Sequence, residues 1–367
     1  MIFTVLFYAF VAVTVIQIIY YLCFSSFAFS NNRVVKRNHH IPISVVICCK
    51  NETENLQKYL PSIIEQNYND FEIVLINDAS SDNTLEIMES FQSKHSNIKI
   101  VNVENNEAFW GNKKYALTLG IKAAKHEHLL FTDADCKVLS NNWITKMSNQ
   151  FSEKKSIVLG YGKYKVEKYS LVNLLVRFET LLTAIQYFSY AKLGSPYMGV
   201  GRNLAYTKTE FFKTNGFIKH MNIKSGDDDL FIQDAANKKN TAICSSPESF
   251  TESKAPSTLN ELFRQKRRHI STANYYKFKH KFFLGLFFIS KVFFYVLGIS
   301  YSIINWKIGL PIIGLYFLTQ YIIVGYSAKK LRETQVLYFL PFLEVFLLLF
   351  QFTIFIANSI SKPTHWK

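Results

Sequence analysis

Charged residues are spread unevenly along the 367 positions. Met1 to Asn32 contains no Asp, Glu, Lys or Arg, and Val292–Trp306, Ile308–Ala328 and Val345–Ser361 are equally uncharged, whereas roughly Arg33 to Lys281 is polar and mixed. A helix that crosses a bilayer needs about 20 mostly apolar residues. The pattern therefore predicts membrane helices over Phe3–Phe27, Phe282–Ile304, Ile308–Gly325 and Val336–Asn358. They divide the chain into an N-terminal anchor (1–30), a water-soluble domain (41–275) and a C-terminal membrane region of about three helices (282–358). The first segment has neither a positive n-region nor a small-residue cleavage site, so it reads as an anchor.

Basic residues set the expected orientation. Arg33, Lys36 and Arg37, then Lys277, Lys279 and Lys281, then Lys329, Lys330 and Arg332 flank the apolar segments. Such excess marks the cytoplasmic side, which places the soluble domain in the cytosol, at the cytoplasmic membrane. Lys362 and Lys367 count against a fourth crossing, and the alternative for the last segment is a re-entrant or interfacial hairpin. Lys291 and Glu344 fall inside apolar segments, where charge is costly. Pairing, lining a lumen and snorkelling all remain open, with snorkelling the expectation for Lys291.

Inside the soluble domain the apolar pattern changes to short β-branched runs alternating with helical stretches. Strands are predicted at Ile43–Cys49, Glu72–Ile76, Ile98–Val103 and His128–Thr132, and helices through Leu56–Ile64, Thr84–Phe91 and Lys113–Ala124. Strands alternating with helices imply a mostly parallel α/β sheet with right-handed crossovers. Ligands bind such sheets beyond the carboxyl ends of the strands. Asn51 and Glu52, Asp78, and Asp133 with Asp135 stand at those ends. Tyr169–Tyr190 reads either as a helix along the membrane surface or as an ordinary core-facing helix.

Composition narrows the function classes. Forty-nine per cent apolar content excludes a disordered chain. The net charge of +15 sits beside membrane segments and accompanies no nucleic-acid motif, so membrane lipid is the expected partner and nucleic acid is not. The cysteines, odd in number and without zinc spacing, read as small apolar fillers in a reducing compartment. Neither a P-loop nor a Rossmann glycine fingerprint occurs.

Three segments carry candidate chemistry. Thr132-Asp-Ala-Asp-Cys136 offers Asp133 and Asp135 as oxygen ligands for Mg²⁺ or Mn²⁺. Ser225-Gly-Asp-Asp-Asp-Leu-Phe231 stacks like charges that raise one another's pKa, and so can poise a general base. Gln265-Lys-Arg-Arg-His269 supplies the planar fork of Arg268 for a diphosphate, or a basic cluster for anionic lipid.

Taken in order, these segments resemble family-2 glycosyltransferases. Pro42–Ile47 with Asn51, Glu52, Asn55 and Leu56, then Leu75–Thr84, resemble that family's opening. Lys113-Lys-Tyr-Ala-Leu-Thr-Leu-Gly-Ile121 is similar to its K-x-x-A-L-N-x-G-I segment, with Thr118 in place of Asn. Asp133-Ala-Asp135 resembles the DxD, Asp227 the catalytic Asp, Gln265-x-x-Arg268-His269 the Q-x-x-R-W, and Met198–Asn203 the glycine-rich acceptor loop. The resemblance covers about Ile41 to His269 and implies a GT-A type fold flanked by transmembrane helices.

It also implies roles. Asn51, Glu52, Asp78, Lys113 and Asp133 would bind the nucleotide-sugar donor, expected to be a UDP-sugar. Asp135 with Asp133 would hold Mg²⁺ or Mn²⁺. Asp227, or its neighbour Asp228, would be the base, and Asp229 a structural partner. Gln265, Arg268 and His269 would meet the diphosphate and acceptor. Two positions depart from the family pattern: Gly226 replaces Glu, and His269 replaces Trp. The implied reaction is inverting, metal-dependent sugar transfer to a lipid-linked or glycan acceptor. The alternatives are a processive polysaccharide synthase, a ceramide glucosyltransferase-like enzyme, or a catalytically silent membrane binding protein.

Overall fold

The computed structural model describes residues 1–31, 41–104, 113–223 and 225–361. The basic flank Arg33, Lys36 and Arg37, and the terminal Lys362 and Lys367, lie outside the described residues. The first half of the chain runs α1 (Ile2–Ala28), β1 (Ile43–Cys49), α2 (Thr53–Tyr59), α3 (Pro61–Ile64), β2 (Phe71–Asp78), α4 (Thr84–Gln92), β3 (Ile98–Val103), α5 (Lys113–Ala123), β4 (His128–Phe131), β5 (Cys136–Val138), α6 (Trp143–Ser148), β6 (Ile157–Leu159) and β7 (Gly162–Tyr164). Then follow α7 (Leu171–Lys192), β8 (Leu204–Thr207), α8 (Lys208–Lys213), α9 (Asp229–Ala235), β9 (Thr241–Ile243), β10 (Thr251–Ser253), α10 (Leu259–Thr272), α11 (Phe278–Ile304), α12 (Trp306–Leu331) and α13 (Leu340–Ile360).

The main sheet has seven strands in the order β3-β2-β1-β4-β8-β6-β9. Its β3-β2-β1-β4 part is parallel, and β8 runs antiparallel between β4 and β6. Ile43–Ile47 and Ile73–Ile76 are buried throughout, because helices cover both faces of the sheet. Chain order reverses at β1, with β2 on one side of it and β4 on the other. This switch point opens a crevice at the carboxyl ends of β1, β2 and β4. A small sheet, β5-β10-β7, closes one side of that crevice. The expected mostly parallel α/β domain is therefore present. Its strand ends carry the predicted polar residues.

α7 is neither a surface helix nor an ordinary core helix. Leu175, Phe178, Leu181, Ile185 and Phe188 are all buried, because the helix is held between the sheet domain and the apolar helices α1, α12 and α13. Phe188 stacks on Phe27 of α1, with ring centroids 4.9 Å apart. Among the described residues, five helices, α7 among them, are long and apolar enough to cross a membrane by length and composition. Of these, α1, α11 and α12 pack on one another along their lengths. Gln17 Nε2 donates to Phe287 O (2.8 Å) and Ser290 Oγ (2.7 Å), joining α1 to α11.

α13 behaves differently, since it packs on α7 and α10. Glu333, at the end of α12 and separated from α13 by a 3-10 segment over Thr334–Phe339, pairs with Arg177 of α7 at 2.6 Å and with Lys163 of β7 at 3.6 Å. At the C-terminal end of α13, Arg267 of α10 donates to Asn358 Oδ1 (2.9 Å) and Ala357 O (3.1 Å). The helix is about 31 Å long at 1.5 Å per residue, and its C-terminal end is held by the soluble domain.

Snorkelling is not what Lys291 does. Its Nζ lies 2.6 Å from Glu344 Oε1, and both side chains are buried. Glu344 also accepts from Tyr316 (2.9 and 3.0 Å), Gln320 (2.6 Å) and Tyr21 (3.2 Å). Pairing prevails because the two groups face each other across the bundle, out of reach of its rim. Removing one partner of a buried pair costs about 3–5 kcal/mol. Lys291→Met should therefore lower the thermal midpoint of the detergent-solubilised protein, and adding Glu344→Leu should restore much of the loss. A single variant as stable as wild type would show that the pair does not hold the bundle.

Candidate active site

The crevice collects its polar groups from consecutive strand ends. Asp78 closes β2, half-buried, 3.9 Å from Lys50 Nζ. Burial pushes the Asp78 carboxyl up, and Lys50 and Lys113 oppose that rise. Glu52 lines the same cavity. Asn51 lies outside the lining. Its backbone is left-handed (φ 55°), its N–H donates to Ser80 Oγ (3.1 Å), and its Oδ1 accepts from Ser81 N (2.8 Å). It therefore clamps the β1 loop to the β2 loop.

Lys113, the first residue of α5, is the centre of the site. Its Nζ lies 2.9 Å from Asp133 Oδ1 and 3.2 Å from Asp227 Oδ2. Burial favours the neutral amine, but Asp133 and Asp227 outweigh it and hold Lys113 charged, well above the usual lysine range. Gly120 sets this placement, since a Cβ there would lie 2.2 Å from Ile76 Cδ1. Only glycine lets α5 sit that close to β2. Lys114 next to it donates to the carbonyls of His220 (2.8 Å), Ile223 (2.7 Å) and Ser225 (2.7 Å). It thereby fixes the segment that leads into the acidic triplet.

The triplet separates into different environments. Asp229 accepts from Thr272 Oγ1 (2.5 Å) and Tyr276 OH (2.6 Å), which ties α9 to the end of α10. It is a structural partner, as expected. Asp228 caps α9 and accepts from Gly201 N and Asp229 N, both at 2.7 Å. Asp227 instead faces Lys113 in the cavity. Gly226 stands at φ +90°, and a Cβ there would meet Leu230 Cδ1 at 2.6 Å. That geometry explains why glycine occupies the position where the resembling family carries Glu.

α10 distributes its basic motif over several elements. The helix begins with a capping box, in which Thr258 Oγ1 accepts from Glu261 N (3.2 Å) and Glu261 Oε2 accepts from Ser257 N (2.8 Å). Gln265 Nε2 donates weakly to Tyr164 OH (3.4 Å), and Gln265 Oε1 is buried with no hydrogen-bond partner among the described residues. Lys266 pairs with Glu179 of α7, while Arg268 and His269 line the cavity. Burial, with Lys266 and Arg268 beside it, holds His269 well below the usual histidine range, so its ring is neutral.

The carboxylates fit a hard divalent cation. Asp133, Asp135 and Cys136 offer ligand atoms within 4.8 Å of one another. Burial and the adjacent carboxylates keep the Cys136 thiol protonated, with its pKa far above the ordinary range. That leaves Asp133 and Asp135 as oxygen donors suited to Mg²⁺ or Mn²⁺.

Two further side chains escaped sequence reasoning. Arg202 donates to Gly162 O (2.8 Å) and Ser253 Oγ (3.0 Å), with its guanidinium 4.1 Å above the Tyr164 ring. It brings a half-buried positive charge beside the carboxylates. The sequence signal was limited to the Met198–Asn203 loop, because the partners Tyr164 and Ser253 lie in distant three-residue strands. Lys114 was overshadowed by Lys113, since nothing local tells which lysine of a pair turns inward.

Comparisons with known proteins agree with this geometry. The sequence model of glycosyl transferase family 2 matches residues 44–199. A poly-β-1,6-N-acetyl-D-glucosamine synthase of Staphylococcus epidermidis is 39% identical over 119 residues, which is 32% of this chain and 28% of that protein. The glycosyltransferase GlyG of Streptococcus pneumoniae is 31% identical over 119 residues, 32% of this chain and 38% of that protein. The chain thus spans well under half the length of these relatives. Among solved structures, the mannosyltransferase PcManGT of Pyrobaculum calidifontis, in complex with GDP-Man and Mn²⁺, matches with a TM-score of 0.59 at 14% identity, covering 90% of this chain and 99% of that one. The fold is of the GT-A type.

Burial, with Asp227 and Asp229 adding to it, pushes Asp228 up to about 7. The folded chain holds this proton more tightly than the unfolded chain does. Its contribution to stability is complete below the ordinary aspartate pKa and is lost as pH rises through about 7. Asp228→Asn should therefore flatten the fall in thermal stability between about pH 4 and pH 8. Identical slopes in wild type and variant would show that Asp228 does not carry this proton.

Proposed function

We propose that this chain, which carries a glycosyl transferase family 2 domain over residues 44–199, is a membrane-integrated, metal-dependent glycosyltransferase. It moves a sugar from a nucleotide-sugar donor, a UDP-sugar in the simplest case, to an acceptor hydroxyl with inversion at the anomeric carbon. One observation carries this reading: Lys113 holds Asp133 and Asp227 on either side of a single cavity, at 2.9 and 3.2 Å, where Asp135 and Arg268 also line the wall.

Each group has a task. Asp78 and Glu52, at the ends of β2 and β1, take the base and ribose. Asp133 and Asp135 would hold Mg²⁺ or Mn²⁺ on the donor's diphosphate. When bound, that ion supplies positive charge against the leaving group. Lys113 and Arg268 add cationic charge around the same oxygens. Asp227 accepts the acceptor's hydroxyl proton while its oxygen bonds to the anomeric carbon. The bond from that carbon to the diphosphate breaks, and its electron pair leaves with the nucleotide diphosphate. Neutral His269 presents a polar edge to the acceptor side.

The helix contacts support a membrane arrangement. α1, α11 and α12 cross the bilayer. α13 starts beside the middle of α11 and α12, where Glu344 meets Lys291, and ends on Arg267 of α10, which supports a course that returns to the side of the soluble domain. Lys277, Lys279 and Lys281 before α11 and Lys329, Lys330 and Arg332 at the end of α12 support a cytosolic catalytic domain under the positive-inside rule. The acceptor is a lipid-linked or glycan hydroxyl at this membrane.

A panel of sugar nucleotides offered to the purified protein tests the reading. One of them should be turned over. Losing a positioned base costs roughly 10²–10⁴-fold in rate with little loss of ground-state binding. Asp227→Asn should lower kcat by about that factor while the donor still binds, and Asp228→Asn should do less. The reverse order would move the base to Asp228. No effect from either would remove the base from the triplet.

A further inference from the structure

The cavity that contains the carboxylates does not end at the soluble domain. With a volume of about 580 Å³, it continues from Asp78, Asp133 and Asp227 between α7, α10, α11 and α13 as far as Lys291 and Glu344. Its walls differ in character along this membrane limb. Thr180, Thr183 and Gln186 line it from one face of α7, whereas Leu284, Leu347 and Leu348 line it from α11 and α13. The far end stops at the Lys291–Glu344 pair, whose carboxylate also accepts from Tyr21, Tyr316 and Gln320 of α1 and α12. One side of the limb lies between α11 and α13, on the outer face of the helices. There Phe288 of α11 and Phe355 of α13 meet edge-on with centroids 5.1 Å apart, both in the lining, and Phe355 is 45% exposed.

A conduit for a hydrated glycan would leave Leu284, Leu347 and Leu348 against water, which is unfavourable at about 25 cal/mol per Å² of apolar surface. A site for a wholly apolar molecule would have no use for a polar ribbon leading to carboxylates. We infer that the acceptor is an amphiphile that enters from the bilayer between α11 and α13, past Phe288 and Phe355. Its hydroxyl-bearing head lies along Thr180–Gln186 towards Asp227, and its hydrocarbon tail packs on Leu284, Leu347 and Leu348. This inference rests on the glycosyltransferase reading and selects among its acceptors.

The test uses the full-length protein in nanodiscs of bacterial total polar lipid. The radiolabelled donor is the sugar nucleotide that the panel identifies, and products are partitioned between butanol and water. Label should enter the butanol phase. Leu348→Trp, which fills the tail limb, should cut that label about tenfold or more, the loss expected when more than 1.4 kcal/mol of acceptor binding is removed. Donor affinity by titration should be unchanged. Phe355→Ala opens the seam without filling the limb, and should preserve or raise butanol-phase labelling. Donor turnover with label confined to a water-soluble product, indifferent to Leu348→Trp, would overturn the amphiphile and leave the transferase standing. Loss of label in both variants alike would refute entry through the seam. No donor turnover under any condition would overturn the transferase reading and this inference with it.

Discussion

Carboxylates gathered at one edge of a sheet repel one another and resist burial unless cations are set among them. Here Asp78, Asp133, Asp135, Asp227 and Asp228 share one cavity, and the position of Lys113 makes that crowd tolerable. Its ammonium bridges the end of β4 to the loop before α9. The bridge requires α5 to begin at the mouth of the crevice, which in turn requires Gly120 to sit against Ile76. Lys114 then holds the acidic loop by its carbonyls. A packing constraint on one helix thus decides where two chemically distinct carboxylate sets meet.

The same domain is joined to the long apolar helices by ion pairs and hydrogen bonds as well as by apolar packing. Glu333 joins the end of α12 to α7 and β7, and Arg267 joins α10 to the end of α13. Lys266 and Glu179 join α10 to α7 between them. Because α10 also carries Gln265 and Arg268, the residues nearest the proposed diphosphate are mechanically continuous with the membrane helices. Lys291 and Glu344 mark where that continuity stops.

Much of this was legible in the sequence, for physical reasons. The strands β1, β2 and β4 announce themselves as short β-branched runs, since sheets covered on both faces select such residues. The spans announce themselves by lacking charge. The carboxylates at the strand ends followed from topology, and the family resemblance supplied their order. What stayed hidden depends on contacts between distant segments. Nothing around Lys291 reveals that Glu344, 53 residues away, will face it. The structural role of Asn51 comes from a left-handed turn that its neighbours do not dictate. α13 reads as a span because hydropathy reports length and apolarity, whereas the hydrogen bonds from Arg267 to its C-terminal end join segments far apart in sequence.

The central claim is that the Asp133–Asp135 edge binds a nucleotide-sugar together with a divalent ion. Calorimetric titration of UDP-sugars into the full-length protein, with Mn²⁺ or with EDTA, addresses it directly when wild type and Asp135→Asn are compared. The account predicts saturable binding to wild type in Mn²⁺ that is sharply weakened by EDTA and by the substitution alike. Equal affinity with and without the ion, or an Asp135→Asn variant that binds as wild type does, would contradict it.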